Sequence, residues 1–183
     1  MNVIAKGIIS ATMIMAFGLS HAAGPIYYTI DGGPTEQLHL TPIEDTFSGT
    51  THLSAGAFCQ ATCTLEVDGK LEDDLTGDTT LTVTHGEVSG GGLCGALNLS
   101  GFPWVGSVPH SSIPSPLAPV TFTMHDVAVS ASLCGSCSSM IDVTFDPANG
   151  GSFEFDGPIT PNGNCNVSGS LTSKDGHYYE AWH

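Results

Sequence analysis

The chain has 183 residues and a formal net charge of −15, with 18 acidic residues, three lysines and no arginine. So few cations could not neutralise a phosphate backbone, which excludes nucleic acid as a partner, and an anionic membrane surface would repel the chain. The acidity suits solubility outside the cell and says nothing about fold.

At the N-terminus Lys6 precedes an apolar run over residues 7–19 that is too short to span a bilayer as a helix. Ser20-His21-Ala22 then sets small residues at the positions read for cleavage before Ala23. The expectation is a secretory signal peptide over residues 1–22 and one domain over residues 23–183, large enough for a hydrophobic core. No cysteine lies at the cleavage point to make a lipoprotein. Loss of Lys6 would leave Lys70 and Lys174 as the only lysines.

Going down the chain, Ile26-Tyr-Tyr-Thr-Ile30 reads as a strand ended by Asp31-Gly-Gly-Pro34. Residues 36–47 are irregular and carry Pro42, which suits an edge strand or loop. Residues 49–56 are rich in Ser, Thr and Gly, as in a strand near the surface. Cys63-Thr-Leu-Glu-Val67 alternates with a period of two, and Asp68-Gly69 predicts a hairpin turn with a return strand from Lys70. Glu72, Asp73, Asp74 and Asp78 cluster behind it. Carboxylates suit calcium, but the spacing fits no EF-hand, and a solvated acidic turn is the plainer reading.

Residues 80–95 and 121–135 state one pattern twice: an alternating strand, then Leu93-Cys94-Gly95 in one copy and Leu133-Cys134-Gly135 in the other. His85 and His125 match with one gap. The glycines at 90–92 predict a bulge or close backbone approach rather than a phosphate loop, since neither a lysine nor a long helix follows. Between the copies lie Gly101-Phe-Pro-Trp104 and a Pro/Ser-rich stretch over 106–119 that reads as a connection across the surface. Met140-Ile-Asp-Val-Thr-Phe145 and Ser152-Phe-Glu-Phe-Asp156 form a hairpin about the turn at 146–151. Residues 166–172 and 178–182 supply two last strands. No apolar spacing of helical period persists beyond residue 23. The fold expected is all-β, a disulfide-stabilised sandwich or Greek-key barrel.

Six cysteines, Cys59, Cys63, Cys94, Cys134, Cys137 and Cys165, all fall in the exported part. An even count in a secreted chain predicts disulfides and leaves their pairing open. Zinc competes, because Cys59-x3-Cys63 and Cys134-x2-Cys137 approach ligand spacing. There is no Gly-x-Ser-x-Gly, no His-x-His and no His-Glu-x-x-His. His85 and His125 could meet across strands and share a metal, though a lone strand histidine is more often a surface or packing residue. The acids are too numerous for any pairing of carboxylates to be informative. No catalytic, cofactor or metal residue is assigned. Phe102, Trp104, Tyr178, Tyr179 and Trp182 are candidates to stack on a sugar or apolar ligand, against the plainer role of core plugs.

Over about residues 47–173 the spaced pattern resembles the family of the bacterial protein activator of alkane oxidation, PraB. The residues that carry the likeness are Cys59-Gln-Ala-Thr, Leu93-Cys94, Gly101-Phe-Pro-Trp104, Cys134-Gly135 or Cys137 before Ile141-Asp-Val-Thr-Phe145, and Cys165-Asn-Val-Ser-Gly-Ser-Leu-Thr172. Relative to that pattern Cys63 and one of Cys134 and Cys137 look like additions. The resemblance therefore implies an extra bridge from Cys63 to Cys134 or Cys137, with the others pairing among themselves.

What the resemblance implies for function is a non-enzymatic exported protein, secreted, at the cell surface or periplasmic, linked to alkane utilisation or biofilm behaviour. Its partner would be a hydrocarbon, a surfactant or a cell-envelope component, and no membrane span would remain after signal cleavage. The alternative is a fibre or matrix subunit that self-associates through sheet edges, with residues 26–30 as the donor strand. A secreted hydrolase comes third.

Overall fold

The computed structural model describes residues 24–55, 59–131, 134–159 and 165–183. The expected leader lies outside the described residues, as does Leu133 of the second triplet. The strands in chain order are β1 (Tyr27–Ile30), β2 (Glu36–Gln37), β3 (Ile43–Ala55), β4 (Gln60–Asp73), β5 (Asp78–Ser89) and β6 (Leu97–Ser100). They continue as β7 (Trp104–Pro109), β8 (Val120–Ala131), β9 (Gly135–Asp146), β10 (Ser152–Pro158), β11 (Cys165–Ser173) and β12 (Tyr179–Trp182). The all-β, disulfide-stabilised fold is the one expected. Period-two alternation decides which way each strand faces: Leu81 and Val83 of β5 are buried, while Thr80 and Thr82 turn outward.

Nine strands form one antiparallel sheet in the order β6-β8-β9-β10-β11-β3-β4-β5-β7. Round most of it, successive strands are neighbours, an up-and-down course of hairpins. The two outermost strands, β6 and β7, are consecutive in sequence and separated only by residues 101–103. At about 3.5 Å per residue, so short a link holds the two sheet edges within roughly 14 Å of each other, so the sheet must curl round on itself. β6 pairs with β8 (Leu97 opposite Ala131, Ser100 opposite Ala128). β7 then pairs with β5 (Trp104 opposite Val83, Pro109 opposite Asp78). One extended passage thus changes partners midway, the device by which strands switch sheets at a corner. The result is a curled, barrel-like sheet with a seam.

The two ends are closed differently. At one, β1, β2 and β12 form a separate three-stranded sheet, with Tyr27 opposite Trp182 and Ile30 opposite Tyr179. Its inner residues Tyr28 and Tyr179 are buried in the core. Beneath it Phe153 packs edge-on against Phe47 at 4.8 Å and tilted against Phe145 at 5.2 Å, each such pair adding about 0.5–1.5 kcal/mol to its area burial. At the other end are three disulfides: Cys59–Cys134, Cys63–Cys94 and Cys137–Cys165, with Cα separations of 5.9, 5.6 and 6.3 Å.

The implied bridge from Cys63 to Cys134 or Cys137 is therefore corrected. Cys63 lies on β4 beside the point where β5 ends, since Thr64 pairs with Ser89. The chain turns at Gly90 straight into the short 3-10 segment Gly92–Ala96, which sets Cys94 next to Cys63. A Cβ on Gly90 would lie 3.1 Å from the Cys94 sulfur, so this close approach favours glycine. Cys134 and Cys137 stand across the barrel by β8 and β9. With all six cysteines bridged, the zinc reading has no ligands left.

Two further expectations are corrected. Asp68-Gly69 is not a turn but lies within β4, continuously paired with β3 and marked by a register shift against β5. Gly69 tucks beneath the Phe47 ring, where a Cβ would come within 3.2 Å. The actual turn is the acidic cluster, where Gly77 N–H donates to the Asp74 carbonyl at 2.9 Å. The Pro/Ser-rich connection runs over the surface only in its later part, where residues 114–116, 118 and 119 are exposed. Its first part is strand β7, and further on His110 and Ile113 are buried at the end closed by the small sheet.

Candidate functional site: the barrel seam and the terminal aromatic face

The Gly-Phe-Pro-Trp motif makes the seam crossing. Gly101 has φ +83°, and a Cβ there would lie 2.3 Å from the Asp126 carbonyl, so only glycine lets the crossing strand pass β8. Phe102, half-buried, stacks on Trp104 with centroids 4.4 Å apart. Trp104 is buried and donates its indole N–H to the Ser100 carbonyl at 2.8 Å, tying the lower half of the crossing strand to the upper. No ladder joins β7 to β8 or β6 to β5 among the described residues. The seam is held by packing instead: Gly106 lies against Phe122, Thr123 and Met124, and Gly86 against Leu99 and Phe102. Inside, an apolar cavity of about 80 Å³ reaches Leu99, Trp104, Met124 and Val127 at the seam.

The five aromatic candidates divide. Trp104 and Tyr179 are plugs of the core. Tyr178 and Trp182 are 48% and 40% exposed, and Trp182 stacks on Tyr27 with centroids 6.2 Å apart. Exposed Glu180 stands between them on the same face, and Ile30, also exposed, pairs with buried Tyr179 on the other face, so the apolar outer surface of the terminal sheet centres on Trp182 and Tyr27. Polar pins hold it in place. Asp31, at φ +54°, accepts from the Tyr178 backbone N–H at 2.8 Å and meets His177 Nδ1 at 2.9 Å. The hydrogen bond to Asp31 raises the pKa of His177, and His177 together with the Tyr178 N–H lowers that of Asp31. Tyr179 donates its hydroxyl to Asp45 at 2.7 Å, and burial, then this carboxylate, push its pKa up. The segment proposed as a donor strand, residues 26–30, is used within its own chain: β1 ladders with β12 and β2.

A buried Asp–His pair escaped the sequence reading. His110 Nδ1 lies 2.8 Å from Asp73 Oδ1, which also accepts from the Thr79 hydroxyl at 2.6 Å, and all three residues are buried. The pair ties the β4–β5 hairpin to the segment after β7, helped by His110 N–H donating to the Gly77 carbonyl at 3.0 Å. The His183 ring stands 5.5 Å from that of His110, and burial, then His110, lower its pKa. The only sequence signal was an acid in a cluster and one histidine among several.

The remaining polar candidates are dispersed. Asp73 turns inward, Glu72 pairs with Lys70 at 2.6 Å, and Asp74 accepts from the Thr76 N–H and hydroxyl of its own turn. The four acids thus do not converge as a calcium loop. His85 is exposed between Glu87 and Phe102, and His125 is exposed on β8 just before the positive-φ residue Asp126. Among the described residues no group of three or more His, Cys, Asp or Glu is placed to hold a metal. Lys70 and Lys174 are both ion-paired, the latter to Glu66 at 2.6 Å. No helix among the described residues is long and apolar enough to cross a membrane.

No curated protein and no solved structure matches the chain. The model of one protein family, described as alkane oxidation protein activator PraA/PraB-like, matches residues 1–179. A match over nearly the whole length, including the cysteine-ended strands and the Gly-Phe-Pro-Trp crossing on which the likeness first rested, places the chain in the PraA/PraB-like family of alkane oxidation protein activators.

Proposed function

We propose that the protein is an exported, non-enzymatic accessory of alkane oxidation that works by physical contact with hydrocarbon outside the cytoplasm, at the cell surface or in the medium. Family membership supplies the link to alkanes. Three disulfides suit an oxidising compartment. The observation that carries the contact mode is the outer face of the terminal sheet, where exposed Trp182 stacks on Tyr27 and Tyr178, just before β12, is exposed as well. Amphipathic aromatics of this kind favour a boundary with one apolar and one wet side. The acidic charge of the chain as a whole favours solution in water.

The test is partition of the purified exported chain onto n-dodecane droplets, with growth of a deletion strain on the same alkane. Saturable adsorption that falls several-fold in a Tyr178→Ser/Trp182→Ser variant, together with slowed alkane growth in the deletion strain, is the expected result. Adsorption unaffected by the double substitution, or unchanged growth, would overturn the reading.

A further inference from the structure

The cavity inside the barrel is a second apolar feature, separate from the outer face of the terminal sheet. It measures about 80 Å³ and its wall presents no polar surface. Thr51, the one hydroxyl residue among its described lining residues, is buried without a hydrogen-bond partner for its hydroxyl and still turns no polar surface to the space. A trapped water needs two to four polar partners, and this wall offers none, so the space excludes water. A dry apolar cavity lacks dispersion contacts that an apolar guest would restore.

We propose that this cavity is a binding site for a short alkyl group of about three carbons. Its size sets the number: an engineered apolar cavity of about 150 Å³ accepts the six carbons of benzene, so about 80 Å³ takes about three. Its wall sets the chemistry, since any polar group on the guest would be left unpaired. The fold also offers an entrance. Leu99, Trp104, Met124 and Val127 line both the cavity and the seam, and there the edges β6–β5 and β7–β8 share no ladder. Parting the seam therefore breaks side-chain packing but no β-ladder among the described residues. The biological meaning of the site rests on the hydrocarbon reading above, whereas its existence rests on the cavity alone.

The group could be a free short alkane or the end of a longer chain. Titration of methyl-labelled exported chain with propane and, separately, with n-octane distinguishes the two. We expect saturable methyl shifts at Met124 and Leu171 with propane and none at exposed Leu40. Saturation by n-octane at the same methyls assigns the chain end as a guest as well, and its absence restricts the site to free short alkanes. Val129→Ile, which adds one methylene to the wall, should weaken propane several-fold. Leu171→Ala should bring the space to roughly the 150 Å³ at which an engineered apolar cavity accepts benzene, and should admit benzene where the unsubstituted protein does not.

Absence of any saturable shift in the unsubstituted protein up to the aqueous solubility of both alkanes would overturn the proposal without recourse to a variant. The surface reading fails separately. Propane binding with lost droplet adsorption sinks only the outer face, and droplet adsorption without propane binding sinks only the cavity.

Discussion

The two ends of this barrel are closed by different kinds of chemistry. One end is cross-linked by Cys59–Cys134, Cys63–Cys94 and Cys137–Cys165, which tie strands that do not all neighbour one another. The other is covered by a small sheet made from both ends of the described chain, held by buried aromatics and by side-chain pairs such as Tyr179–Asp45, His177–Asp31 and His110–Asp73. A covalent closure responds to redox conditions and is indifferent to pH. A closure of packed rings and titratable groups does the reverse. The end that carries the exposed Tyr178 and Trp182 is thus the one able to loosen while the barrel stays intact.

The largest expected effect breaks the covalent end. Replacing Cys59 and Cys134 together by alanine opens the longest loop, with a sequence separation of 75 against 31 and 28 for the other two bridges. Because the Cys63–Cys94 bridge shortcuts that loop, loop entropy predicts a loss of about 4 kcal/mol for it and about 3.6 kcal/mol for either of the others. Denaturant unfolding of the three double variants checks this ranking, and a reversed order would show that native-state strain outweighs loop entropy here. Next comes Asp73→Ala, which removes the buried carboxylate that His110 and the Thr79 hydroxyl share and should cost about 2–3 kcal/mol. Hydrogen exchange should show the loss around β12 and residues 110–113, with the cross-linked end still protected. Uniform loss of protection would deny the two ends their independence.

A smaller effect is expected of Tyr179→Phe, which removes one hydrogen bond to the part-exposed Asp45 and should cost about 1 kcal/mol. The pH response sharpens the comparison further. His177 has a raised folded pKa, so its contribution is fully present below its ordinary value of about 6.5 and is lost as pH rises through the folded value. His183 has a depressed one, so the unfolded chain takes up its proton first, and stability falls as pH drops from about 6.5 towards the folded value. Melting temperatures of His177→Gln and His183→Gln between about pH 5 and about pH 8.5 should therefore diverge from the parent in opposite directions on the acid side. Deviations of the same sign would mean that one of these two environments is misread.

Much of this architecture was legible because strands announce themselves through alternation. Leu81 and Val83 against Thr80 and Thr82, or the hairpin built from residues 140–145 and 152–156, needed no tertiary information. Asp68-Gly69 misled because the same dipeptide suits a tight turn and a bulge. What decides between them is the Phe47 ring lying over Gly69, a contact from a strand some twenty residues away. The disulfide pairing failed for a similar reason. Family likeness orders the cysteines along the chain, but the 3-10 segment after Gly90 brings Cys94 to Cys63 in space. The Asp73–His110 pair had no local signature, since its members are 37 residues apart in sequence. Of the aromatic candidates, composition could not tell the buried Trp104 and Tyr179 from the exposed Tyr178 and Trp182. Alternation on a strand decides that only once the direction of the core is known.

The scarcity of lysine has one more consequence. A protease that cleaves after basic residues finds only Lys70 and Lys174 from residue 24 onward. Lys70 lies within β4, laddered to Glu44 on one side and Thr82 on the other. Lys174 follows β11 at a turn, its N–H bonded to the Thr46 carbonyl and its ammonium to Glu66. Trypsin-like enzymes therefore have almost nothing to cut in the folded chain. The same composition that makes the chain so acidic thus leaves its folded form with few sites for this class of protease.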